Sequence, residues 1–191
     1  MITFLFNLPT VVYILTAAGA SFLFILYTIN QILKESDGAG IMREIAESIQ
    51  KGAAAFLKRE FKALSFVLAV IALLLLLINK AEALSFLFGA LVSAMTGVIG
   101  MKVATKANVR TAEALKQSFS RGFKIAFSGG AVMGMAVVSF GLLGVGLIYS
   151  ITQNTGTLIG YAFGSSLVAL FMRVGGGIYT KSADVGADLV G

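Results

Sequence analysis

Four ionisable side chains near the end of the sequence are spaced so that one helix would carry them on one face. They are Arg173, Lys181, Asp184 and Asp188. At about 100° per residue the last three share a face, and Arg173 falls within about 20° of Asp184. Ionisable groups at the end of a membrane helix are costly, so this array predicts a functional site. The sequence has no cysteine and no histidine, and a metal would therefore be held by oxygen, which favours a hard cation such as Mg²⁺.

A simpler interpretation of part of this array is a local ion pair. Lys181 and Asp184 lie three residues apart, which suits a salt bridge at a helix end. Because such pairs are common on helices, the spacing alone favours the local pair over a functional site.

The composition predicts a protein that crosses a membrane several times. Hydrophobic residues make up 58% of the sequence and charged residues only 13%, whereas soluble domains carry about 25% charged residues. Apolar segments recur, each close to the ~20 residues needed to span a bilayer. We therefore expect an all-α polytopic membrane protein, one membrane segment over residues 1–191, with five transmembrane helices at about 10–30, 63–78, 84–101, 125–149 and 157–191.

The connections 31–62 and 102–124 contain most of the charged residues. Within the first, residues 41–62 have helical periodicity and are interpreted as an amphipathic entry into the second membrane helix. If the N-terminus lies outside, Lys80 is the only outer residue among the fifteen lysines and arginines. This asymmetry predicts an outer N-terminus and a cytoplasmic site, and it argues against a nucleic-acid patch. No basic residue precedes the first apolar segment, which favours a spanning helix over a signal peptide.

Glycines recur in the fourth and fifth segments. Gly130 and Gly134 form a small-xxx-small pair, which predicts tight helix packing within the protein. Residues 175–177 are three consecutive glycines inside an apolar helical pattern, without the Gly-Lys-Ser/Thr ending of a phosphate-binding loop. Close helix packing around a polar channel is the favoured explanation for these three glycines.

Three stretches of the sequence resemble motifs of one enzyme family. They are FMRVGGGIYTKSADVGADLVG at 171–191, GAAAFLKREF at 52–61 and GVIGMKVATKANVRTAEA at 97–114. Together they resemble the membrane-bound, ion-translocating inorganic pyrophosphatases, over most of the chain from about residue 45 onwards. The resemblance implies a pump that hydrolyses Mg²⁺-pyrophosphate on the cytoplasmic side and moves H⁺ or Na⁺ outward. It further implies a membrane-embedded homodimer of subunits with about sixteen helices. K⁺ is a possible further cation, and this sequence does not decide K⁺ dependence or the choice between H⁺ and Na⁺.

The resemblance also implies a role for each residue of the array. Lys181 matches a lysine that contacts pyrophosphate oxygens. Asp184 matches a carboxylate that helps to hold Mg²⁺, and Asp188 matches one that holds the metal and orients the attacking water. Arg173 matches an arginine of the ion gate, deeper in the membrane. With the resemblance, the functional interpretation of Lys181 and Asp184 is favoured over the local ion pair.

The sequence departs from the family pattern because it ends at Gly191. The resemblance therefore implies the N-terminal five-helix part of such an enzyme, inactive alone, in which the acidic partner of Arg173 comes from helices beyond this residue. Two alternatives are a self-contained five-helix channel or transporter subunit, and a membrane assembly protein without catalysis.

Overall fold

The computed structural model describes the backbone of residues 2–190 and the side chains of residues 11–190. Over this range the chain forms helices and no strand, and the all-α prediction is confirmed. The helices are α1 (Ile2–Lys34), α2 (Ile41–Ile78), α3 (Lys80–Leu115), α4 (Phe119–Thr152) and α5 (Thr155–Val190).

All five helices of the described residues are long and apolar enough to cross a membrane. The first four predicted segments each lie within one of them, and the fifth lies within α5 up to residue 190, since residue 191 is outside the described residues. The helices extend further into the charged regions. Only residues 35–40 of the predicted connection 31–62, and only 116–118 of the connection 102–124, lie outside helices. The helices continue past the apolar segments because the charged residues that follow have good helix propensity. These side chains can be solvated while the backbone stays helical.

Helix α3 lies at the centre of the structure and packs against all four other helices. It runs parallel to α5, and glycines bring the two backbones together. A Cβ added at Gly89 would collide with the carbonyl of Tyr161, and one at Gly164 would collide with the carbonyl of Phe86. This is the close packing that small residues permit in membrane helices.

The tight packing predicted for Gly130 and Gly134 is not found among the described residues. No atom lies within 4 Å of a Cβ built on either glycine. Their neighbour Gly129 does approach α3, where its Cβ would lie 3.0 Å from the Cβ of Ala107. A small-residue pair indicates that a helix can be approached closely, but it does not identify which face of the helix has a neighbour.

Two clusters of buried side chains hold the helices together. Ile25, Val103 and Val132 join α1, α3 and α4. Leu64 of α2 and Val168 of α5 enclose Ala90 of α3 in the second cluster. A buried hydrogen bond from Ser139 Oγ to the carbonyl of Ala18, 3.0 Å long, also fixes α4 against α1.

Ion pairs join neighbouring elements at one end of the bundle. Arg121 of α4 binds Glu35 after α1 at 2.7 Å, and Arg43 of α2 binds Asp37 at 2.9 Å. The hydrogen bond from Arg43 lowers the pKa of the Asp37 carboxyl below its usual range. The first pair connects the α1–α2 and α3–α4 connections, which therefore lie at the same end. This is the end towards which the chain of α5 runs, because α5 is parallel to α3.

Candidate functional site

Helix α5 carries all four residues of the predicted array. Arg173, Lys181, Asp184 and Asp188 lie within one uninterrupted helix, and the side chains of all four are exposed. At about 1.5 Å of rise per residue, Arg173 lies about 16 Å below Asp184 along the helix axis. The helix therefore separates the arginine from the two carboxylates, as the spacing predicts.

The local ion pair between Lys181 and Asp184 is not formed. Ion pairs in residues 11–190 join Arg43 to Asp37, Lys116 to Glu113 and Arg121 to Glu35, and none of them involves α5. The ammonium and carboxylate groups at the end of α5 thus remain available to other ligands.

The face that carries these groups is open in this chain. Every residue from Lys181 to Val190 is exposed, so helices α1 to α4 do not cover the last turns of α5. Three or more acidic side chains do not converge anywhere in the described residues. Asp184 and Asp188 are the two acidic residues of α5. They are one helical turn apart, and two carboxylates suit Mg²⁺, which is commonly held by one or two of them together with water and substrate phosphates.

Arg173 lies at the edge of a long groove between α3, α4 and α5. The groove has a volume of about 1020 Å³, and small residues such as Gly97, Gly130 and Ala169 form much of its lining. Hydroxyl groups of Thr96 and Ser166 are among the few polar groups along it. Arg173 thus borders a mostly apolar groove, and it takes part in none of the ion pairs of residues 11–190.

An acid from α2 lies near the level of Arg173 on α5. The carboxylate of Glu60, from α2, lies directly against Gly175, with Oε2 only 2.6 Å from where a Cβ would be. Two residues on a helix point about 200° apart, so Glu60 and Arg173 occupy opposite sides of α5 and form no ion pair. The sequence signal for this contact was the stretch 52–61, but a sequence does not give the register of α2 against α5.

The chain is similar to known proteins over most of its length. A family model described as inorganic H⁺ pyrophosphatase matches residues 20–191. A K⁺-insensitive pyrophosphate-energized proton pump of Methanosarcina mazei is 45% identical over 174 residues, which are 90% of this chain and 26% of that protein.

Two further relatives are named as sodium pumps. A putative K⁺-stimulated pyrophosphate-energized sodium pump of Clostridium tetani is 49% identical over 183 residues, which are 95% of this chain and 27% of that protein. A K⁺-stimulated pyrophosphate-energized sodium pump of Thermotoga maritima is 42% identical over 185 residues, 84% of this chain and 26% of that protein. The chain thus spans about a quarter of the length of these relatives.

Proposed function

Because this chain belongs to the inorganic H⁺ pyrophosphatase family, we propose that it supplies five membrane helices of a pump. The pump hydrolyses Mg²⁺-pyrophosphate and drives H⁺ or Na⁺ across the membrane. The observation that carries the proposal is the open face of α5, on which Lys181, Asp184 and Asp188 stand without ion-pair partners in the described residues. A channel subunit or an assembly protein gives no reason for that array.

The residues of this face suit phosphoryl transfer, which is catalysed mainly by positioning and by neutralising charge. Lys181 binds pyrophosphate oxygens as a point charge. Asp184 and Asp188 offer oxygen ligands to Mg²⁺, which would neutralise part of the charge of the substrate. Asp188 also orients the attacking water and accepts its proton. Two carboxylates and one lysine are too few to neutralise a tetra-anionic substrate and its metal ions, so the remaining ligands come from other parts of the pump.

Arg173 belongs to a different step. It lies about 16 Å below Asp184 on α5, at the edge of the groove between α3, α4 and α5. A charge in an apolar groove of a membrane protein is a candidate for the ion path. We assign it to the ion gate, with an acidic partner supplied from outside residues 11–190.

The orientation that we propose places the N-terminus outside and the substrate face of α5 in the cytoplasm. The chain has no native cysteine, so single-cysteine variants carry no background. We expect cysteines at Ser36 and Ser118 to be protected from a membrane-impermeant maleimide added to intact cells, and a cysteine at Asn154 to react. Each position lies outside the helices, and the split of the basic residues gives the direction. External labelling of a cysteine at position 118 would contradict the proposed orientation and indicate the opposite one.

The assembled pump is proposed to be a membrane-embedded homodimer, in contact with lipid along its outer helices. Relatives are named both K⁺-stimulated and K⁺-insensitive, so K⁺ is proposed as a further cation that distinguishes members of the family.

The function is tested by comparing this chain with a chimera. The chimera joins residues 1–191 to the part of the Clostridium tetani relative that lies beyond the matched region. We expect Mg²⁺-dependent phosphate release from pyrophosphate in membranes containing the chimera, and none from purified residues 1–191, which carry too few ligands. Phosphate release by residues 1–191 alone would contradict the incomplete site. A chimera that is inserted but inactive, beside an active parent pump, would contradict the assignment of α5.

A further inference from the structure

Helix α2 contacts the part of α5 that immediately precedes the substrate face. The rings of Phe56 and Tyr179 lie with their centroids 5.1 Å apart and their planes tilted by 32°. The Tyr179 hydroxyl also covers Gly52, 3.0 Å from where a Cβ of that glycine would be. Tyr179 is two residues before Lys181, so α2 reaches to within one turn of the first substrate residue.

A second contact lies one turn below. The carboxylate of Glu60 is seated on the bare Cα of Gly175, with Oε2 and Oε1 only 2.6 and 2.8 Å from the position of a Cβ. Gly176 and Gly177 have nothing within 4 Å of a Cβ among the described residues. The contact with α2 therefore uses the first of the three consecutive glycines, and the explanation by helix packing applies to that glycine.

Below these contacts α5 is also held by α3. The side chain of Met172 occupies the space over Gly97 of α3, and Val168 belongs to the buried cluster that joins α2, α3 and α5. Above Met172, the contacts at Gly175 and Tyr179 are with α2. The contacts of Glu60 and Phe56 therefore hold α5 between its N-terminal part, which is packed against α3, and its exposed C-terminal turns.

The supported side and the substrate side of α5 face away from each other. Gly175 and Asp184 are nine residues apart, which places them about 180° apart around the helix. A contact at Gly175 that fixes the rotation of α5 and its position along its axis also fixes the positions of the side chains on the opposite side of α5. A displacement of about 1 Å at reacting groups can cost about 10²-fold in rate.

We propose that Glu60 and Phe56 are positioning residues for the pyrophosphate site. They form a brace, defined as the contacts of Glu60 with Gly175 and of Phe56 with Tyr179, that sets the position of Lys181 and the following carboxylates. This proposal rests on the proposed function. Neither residue touches substrate, and both act through α5.

The brace is tested first in residues 1–191, independently of any activity. Because the carboxylate at the far end of Glu60 makes the contact, cysteines introduced at positions 60 and 175 should be joined in membranes by a short, reducible bis-methanethiosulfonate reagent. The cross-link is seen as a shift in gel mobility that a reductant reverses. The matched control pairs position 47, on the same helix but more than three turns away, with position 175, and should not cross-link. Equal cross-linking of the two pairs would overturn the brace, whatever the pump does.

The effect on catalysis is tested in the chimera by a double-mutant cycle. Gly175→Ala pushes the Glu60 carboxylate off α5, and Glu60→Ala removes it, so each should lower kcat/KM for Mg²⁺-pyrophosphate about tenfold. If the two changes break the same contact, the double variant should lose little more than either single variant. A Gly19→Ala control, at a glycine with nothing within 4 Å, should stay within about twofold of the parent.

The two tests distinguish a failure of the positioning role from a failure of the proposed function. Multiplicative losses in the double variant, or single variants within twofold of the parent chimera, would overturn the positioning role. A 60–175 cross-link together with an inactive parent chimera would instead overturn the proposed function and leave the contact itself intact. Glu60→Gln should retain most of the activity, because it keeps the shape that fills the space over Gly175.

Discussion

Replacing Asp188 with asparagine is expected to lower the turnover of Mg²⁺-pyrophosphate by the chimera about 10²–10⁴-fold, the usual contribution of a positioned proton acceptor. The substitution keeps the shape of the side chain and removes the charge that we propose orients and deprotonates water. Lys181 and Asp184 remain on the same exposed face of α5, so KM should change little. A loss in kcat at nearly constant KM is the signature of an interaction made mainly in the transition state.

Steady-state phosphate release over a range of substrate concentrations measures both parameters. Asp37→Asn is the matched control, because Asp37 is an acid at the same end of the bundle, is not on α5 and pairs with Arg43. It should remain within about twofold of the parent, since an exposed ion pair contributes little. If Asp188→Asn also stayed within a few-fold of the parent, the water-orienting role would be wrong.

Arg173→Ala is expected to abolish most ion transport while leaving a larger fraction of pyrophosphate hydrolysis. Arg173 lies about 16 Å from Asp184 along α5 and at the edge of the groove between α3, α4 and α5. Its loss should therefore disturb the ion path more than the phosphate site. The measurement is the ratio of ions moved to phosphate released in sealed vesicles. This ratio should fall, because a charge along the ion path is lost while the phosphate site is kept.

The control for this variant is Arg121→Ala, which removes an exposed arginine that pairs with Glu35 at the end of the bundle. Its ratio of transport to hydrolysis should match that of the parent. Equal losses of transport and hydrolysis in Arg173→Ala would place Arg173 in the substrate site rather than in an ion gate.

Much of the fold could be predicted from the sequence because the signals are local. Apolar segments of bilayer length gave five helices, and the spacing of Lys181, Asp184 and Asp188 placed them on one helix. The ends of the helices were harder to predict, because hydrophobicity marks the membrane and not the limits of helical backbone. Residues 102–115, for example, are polar enough to leave the bilayer and still continue α3.

What could not be predicted depends on contacts between helices distant in sequence. Glu60 and Gly175 each lie in a stretch that the sequence singles out, but their contact depends on the register of α2 against α5. The same holds for Gly130 and Gly134, whose pattern suits close packing but whose face has no neighbour among the described residues. An acid at the level of Arg173 was therefore missed, and it faces the opposite side of α5.

The most direct test of the central claim is pyrophosphate-driven ion transport by the chimera in sealed inverted membrane vesicles. Addition of Mg²⁺-pyrophosphate should acidify the vesicle interior or load it with ²²Na⁺, an ionophore should collapse the gradient, and Asp188→Asn should abolish its formation. Vesicles containing the parent Clostridium tetani relative provide the positive control. If the parent pumps, and the chimera is present at equal abundance but generates neither gradient, then residues 1–191 do not supply the helices of a pyrophosphate-energized pump.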